Sequence, residues 1–143
     1  MASKHADIVD AVVTYLNGLS LSQEFTASRE AAPTYLREEL DSLTVDVLLG
    51  AVTRKRLTRG GLFDKTFDVE IAVQKTIDVS DTTDFDAMVE LCEEIESAIC
   101  AAGQTMASAT LTAVDRDQVA DEAAIETGHL FVSTITGTYR FIS

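Results

Sequence analysis

Hydrophobic residues recur along this chain with two different periods. Over residues 4–17, Ile8, Val9, Val12, Val13 and Leu16 fall on one helical face, with Asp7, Asp10, Thr14 and Asn17 opposite. That spacing predicts an amphipathic first helix, with Ser3 as its N-cap and Gly18 at C′. Residues 19–33 alternate loosely through Leu19, Leu21, Phe25 and Ala27 until Pro33, and read as extended. A short helical turn is expected at 34–41, with Leu36 and Leu40 one turn apart and Thr34 as cap. Period two then takes over. Val45, Val47, Leu49 and Ala51 alternate, as do Phe67, Val69, Ile71 and Val73 against Asp68, Glu70 and Gln74, which predicts two strands within 44–77.

Helical period returns at 84–102. Met88, Leu91, Cys92, Ile95, Ile99 and Ala102 share one face, and Asp86, Glu90, Glu93, Glu94 and Ser97 the other. The turn cluster at 78–83 precedes it, Thr83 suits its cap, Asp84 and Asp86 suit its N-terminal end, and Gly103 its stop. Two further strands are expected at 105–114 and 130–142, the second with Phe131, Ile135, Tyr139 and Phe141 on one face and Gly137 marking a bulge or close approach. The polar stretch 115–128 between them has room for a helical turn around Val119–Ile125. These elements predict a single α+β domain over 1–143. It has a four-stranded, mainly antiparallel sheet with one long amphipathic helix packed on it, an N-terminal helix (1–18) and an extended β-hairpin arm (54–65). The sheet's other face is expected to be solvated or covered by another subunit.

Charge changes the picture at one place. Segment 54–65, RKRLTRGGLFDK, holds Arg54, Lys55, Arg56, Arg59 and Lys65, five of the eleven Lys and Arg residues. With Asp64 it carries +4, so the remaining 131 residues carry −17 of the chain's net −13. At twelve residues the arm exceeds a typical hairpin loop. Either the strands run on as a ribbon or the tip orders on binding. The acidic body repels free nucleic acid and keeps a monomer soluble. The 84–102 helix, in contrast, has no basic residue, so it lacks internal ion pairs. Basic arm and acid-only face can satisfy each other across a subunit boundary, with Arg54, Lys55, Arg56, Arg59 and Lys65 facing Glu90, Glu93 and Glu94.

Candidate chemistry adds little. His5 and His129 form no metal-ligand spacing and read as surface or packing residues. Asp78, Asp81, Asp84 and Asp86 are dense, but an EF-hand register places Thr83 where glycine is required, so they read as turn and cap acids. Asp115-Arg116-Asp117 reads as a solvated loop. Gly60-Gly61 lacks the P-loop ending. Cys92 and Cys100 stand eight residues apart on a helix, about 12 Å, too far for a disulfide, and read as small buried hydrophobes. No constellation here suggests catalysis, a cofactor or a metal. No apolar run reaches the ~18 residues of a membrane span. The N-terminus lacks an apolar signal core, so a cytoplasmic protein, or one assembled there into something larger, is expected.

The order of features resembles a known family. An amphipathic N-terminal helix is followed by the Phe25-Thr26-Ala27-x-Arg29 arm, then by Pro33 and the Leu36–Leu40 turn. The Val45/Val47 strand, the Arg-rich loop with Arg59 and the FDVEIAVQK strand come next. A helix beginning near Asp84–Phe85 and a closing FVSTITGTYRF strand complete the series. Together they resemble the tail terminator or tail-completion (neck) proteins of tailed bacteriophages, the broad gpU-like class. The resemblance implies a structural virion protein, assembled in the host cytoplasm, that forms a homo-oligomeric ring, expected to be hexameric. Such a ring caps the tail tube, ends its polymerisation and offers a surface to the head–tail connector. Its partners would be the tail tube protein and connector or adaptor proteins, and DNA would pass through an acidic lumen without specific binding. The class brings no catalytic site, cofactor or membrane contact. The alternatives are a head-completion or adaptor protein of the same neck, or a cytoplasmic α+β binding or regulatory domain.

Overall fold

A computed structural model describes residues 4–30, 43–77, 82–102, 109–116 and 130–142. Its elements are α1 (Lys4–Asn17), β1 (Ala27–Arg29), β2 (Thr44–Arg56), β3 (Phe63–Thr76), α2 (Thr82–Ala102), β4 (Thr110–Asp115) and β5 (Leu130–Ile142). The fold is α+β, as its periodicity predicts. Among the described residues, however, the sheet has five strands rather than four, in the order β1-β2-β3-β5-β4. All pairs are antiparallel except β1 with β2, where Ala27–Arg29 run parallel to Val45–Val47, so the sheet is mixed. Ser3, the 33–41 region, Asp78, Asp81, Gly103, the 119–125 turn and His129 lie outside the described residues.

The added strand has a local cause. Asn17, the last residue of α1, brackets Ala27: its Nδ2 donates to the Ala27 carbonyl at 3.0 Å, and the Ala27 amide donates to its Oδ1 at 2.7 Å. That clamp delivers three residues to the edge of β2, too few to register as an alternating pattern. Gly18 follows α1 as expected but is not left-handed. The helix closes instead by tight bonds from Gly18 to Tyr15 and Leu19 to Leu16.

Both helices pack on one face of the sheet. Ile8, Val9, Val12 and Leu16 from α1, and Met88, Leu91, Cys92, Ile95 and Ile99 from α2, are fully buried against it. Val45 and Val47 of β2, Phe67 to Val73 at alternate positions of β3, and Phe131, Ile135 and Tyr139 of β5 meet them in one core. Each such aliphatic side chain contributes about 1.5–3 kcal/mol by leaving water. Tyr15 ties the helices together, its hydroxyl donating to the Ala98 carbonyl at 3.0 Å.

The second face departs from expectation. Asp46, Leu48, Ala72, Gln74 and Val132, all on that side by strand alternation, are buried within the single chain. Asp46 and Gln74 make burial tolerable by bonding each other, Nε2 to Oδ2 at 2.7 Å. At Asp46 and Gln74, therefore, a polar residue in the alternation was not a sign of solvent. Cys100 also departs. It is exposed while Cys92 is buried, because eight residues advance a helix by about 80° beyond two full turns and carry Cys100 off the buried stripe. Gly137 marks a close approach rather than a bulge. A Cβ there would lie 3.3 Å from the Tyr139 ring, and the irregularity sits opposite, in β4 between Leu111 and Ala113.

Candidate functional site

The basic arm is mostly strand. β2 continues to Arg56 and β3 begins at Phe63, paired through Arg54↔Lys65, Lys55↔Asp64 and Arg56↔Phe63. Only Leu57–Leu62 connects them. The Leu57 amide donates to the Leu62 carbonyl at 2.9 Å, and Gly61 turns the chain with φ +93°, a region favouring glycine. The arm is less detached than an isolated ribbon. β5 accompanies β3 as far as Asp64↔Ile142. On the outer side of β2, β1 reaches only Val47, so Leu48–Arg56 has no further strand partner among the described residues.

A bulge decides which way the cations point. Leu49 pairs with Val69 and Val52 with Phe67, so Gly50 and Ala51 together face the single residue Asp68. A Cβ on Gly50 would sit 2.8 Å from the Asp68 carbonyl oxygen and 2.9 Å from its Cβ, so only glycine fits without displacement. Cross-strand partners share a face. Past the bulge, even-numbered β2 residues therefore join the side carrying the helices. Val52, Arg54 and Arg56 lie there with Phe63, Lys65 and Phe141.

The hairpin thus has two unlike faces. On the side away from the helices the cations are partly neutralised: Lys55 stands beside Asp64, and the Arg140 Nε donates to Asp64 Oδ1 at 2.7 Å. That hydrogen bond holds the Asp64 carboxyl below its ordinary pKa and raises that of Arg140. The helix side is cationic and aromatic. Arg56 lies over the Phe63 ring at 5.6 Å, and the Lys65 Nζ over Phe141 at 5.5 Å. Phe141 packs edge-on against Phe67 at 5.2 Å, and His5 stacks on Phe67 at 4.6 Å, closing the helix layer at this point. His5 is a packing residue, its Nε2 3.4 Å from the Asp68 carbonyl. Arg54, Lys55, Arg56 and Arg59 are exposed and form no ion pair among the described residues. Between and beyond them Leu49, Val52, Leu57 and Leu62 are 45–47% exposed.

The acidic residues lie elsewhere. Glu90 and Glu93 are exposed on the outer surface of α2, whereas Glu94 is half-buried and accepts the Ser22 amide at 2.9 Å. Gln23 Nε2 donates to the Ala87 carbonyl at 3.2 Å, so residues 19–26 run along α2. The two segments form a shallow groove of about 510 Å³, lined by Ser20, Leu21, Ser22, Glu90, Glu93, Glu94 and Ser97. The structure brings neither Glu90 nor Glu93 into contact with the arm of its own chain.

Sequence reasoning missed the bulge, the two-faced charge and the partners Arg140, Phe63 and Phe141. The available signal was Gly50, a glycine interrupting strand alternation. It also misread Arg116, whose side chain is only 13% exposed, with Nε 2.9 Å from Glu96 Oε1 on α2. This is an ion pair by distance without hydrogen-bond alignment. Arg116 reaches towards Cys92, whose thiol is pushed up by burial, with Ser133 and Arg116 partly opposing that shift. A protonated, buried thiol is a poor nucleophile. Asp84 and Asp86 occupy the start of α2, where acids suit the helix dipole. Among the described residues no helix is long and apolar enough to cross a membrane. No family model and no curated relative matches the chain.

Proposed function

We propose that this chain is a structural virion protein that assembles into a ring at the head–tail junction of a tailed phage, terminating the tail tube and joining it to the head connector. One observation carries the reading: Arg54 and Arg56 are exposed on one face of the hairpin and in no ion pair among the described residues, on a chain of net charge −13. Such a face is a contact waiting for an acidic partner, and the chain's own surface has that character. The resemblance in element order supports placing that contact in a phage neck. Partial burial of the sheet's second face weighs against the reading in which an open sheet face holds a small ligand. A head-completion or adaptor role in the same neck would use the same surface.

Replacing Arg54, Lys55, Arg56 and Arg59 together by Ser tests it. The monomer is expected to keep its circular dichroism spectrum, while particles assembled with the variant lose joined heads and tails in negative-stain images. Normal particle yield removes the arm from the assembly role. A wild-type protein absent from purified virions removes the neck reading altogether.

A further inference from the structure

We propose that the helix-side face of the β2–β3 hairpin docks on the outer surface of α2 in a second copy of this chain, Arg54 and Arg56 meeting Glu90 and Glu93. This deepens the assembly reading and rests only on its claim of self-association.

The hairpin face has mixed character. Exposed Leu49 and Val52 precede Arg54 and Arg56 on this face, and exposed Leu57 follows in the connecting turn, so its partner must supply both acid and apolar surface. Nucleic acid would match the cations but not the apolar side chains, and a body of net charge −13 repels it. The α2 surface meets both requirements. Glu90 and Glu93 are exposed there beside Leu21, in a groove lined otherwise by serines and Glu94, and α2 carries no cation to neutralise them. The spacings are commensurate. Two residues along a strand are separated by about 7 Å, and helical residues three apart by about 5–6 Å at Cβ. One acid pair can therefore face one arginine pair.

The two surfaces are different patches of the same chain, so the contact is heterologous. After one such contact the first copy still offers its groove and the second its hairpin, and repetition gives a ring if the rotation closes. Glu94 is a structural member of the groove rather than an ion-pair partner, because it holds Ser22. The Gly50 bulge is what makes the contact available, since it turns Arg54 and Arg56 onto the face that also carries Val52.

Charge reversal with mixing tests the proposal on the full chain. One variant carries Arg54→Glu and Arg56→Glu, the other Glu90→Lys and Glu93→Lys. Sedimentation velocity and native mass spectrometry follow self-association. Each variant alone is expected to associate about tenfold or more weakly than wild type. An equimolar mixture should recover assembly with the two variants in equal proportion, because each hairpin then finds an opposite groove. The milder pair Arg54→Gln and Arg56→Gln should weaken association in the same direction, which covers the case of a reversal that disturbs the fold. Association unaffected by the reversals overturns the proposal. So does failure of the mixture to recover, or a wild-type chain still monomeric at about 1 mM, where even a millimolar contact is half occupied. A hairpin variant that loses only binding to a labelled DNA duplex, with self-association intact, also overturns it. Self-association by this contact in a protein absent from virions would refute the neck role and leave the contact standing.

Discussion

Single residues in this chain owe their roles to what surrounds them. Tyr139 is 1% exposed at the centre of the core, and burial pushes its phenol from 10.0 to about 12. Burial disfavours the phenolate, so between those values the unfolded chain has released the proton while the folded chain keeps it. The contribution is intact below pH 10 and is lost as pH rises towards about 12, up to roughly 3 kcal/mol. Cys92 shifts in the same direction. Tyr139→Phe should therefore flatten the fall in denaturant midpoint across that alkaline window, and an unchanged slope would show that the phenol is not responsible. Arg116 makes the complementary point. Flanked by two aspartates in the sequence, it reads as a solvated cation, and only the approach of β4 to α2 makes it the partner of Glu96.

At the scale of elements, the β2–β3 hairpin depends on one missing Cβ. Gly50→Val forces a side chain into the Asp68 backbone at 2.8 Å and is expected to lower stability by about 1–3 kcal/mol in denaturant unfolding. Gly18→Ala supplies the contrast. Its nearest contact would be an ordinary 3.5 Å, and its φ is not in the left-handed region, so its midpoint should move little. Should both variants unfold at the same midpoint, the bulge does not constrain the hairpin. The limits of α1 and β5 follow their hydrophobic periods closely, because both elements bury a regular stripe along their length. β1 does not, since three residues held by Asn17 carry no period.

For the whole molecule, the decisive feature is a core shared by both helices and the sheet. α1 lies over β1 to β3 and α2 over β5 and β4, and among the described residues one hydrophobic cluster holds both. Unfolding should therefore be a single transition. Ile95→Ala removes a fully buried side chain from that core and is expected to cost about 2–5 kcal/mol. Far- and near-ultraviolet circular dichroism should shift together. A helix signal that melts before the aromatic signal would mean that α2 unfolds independently.

The amino-acid sequence by itself determined the two long helical stripes, the three long strands, the α+β class and the concentration of positive charge between β2 and β3. Each is written in local periodicity or local composition, which survive without knowledge of neighbours. Tertiary structure alone decided the fifth strand, the buried Asp46–Gln74 pair and the face on which Arg54 and Arg56 stand. Those depend on register, and a single bulge inverts the facing of every residue beyond it. The basic arm was legible as a charge. Its division into a face that carries Asp64 and a face of Arg54, Arg56 and Lys65 was not, because that division requires knowing which residues lie opposite one another across the sheet.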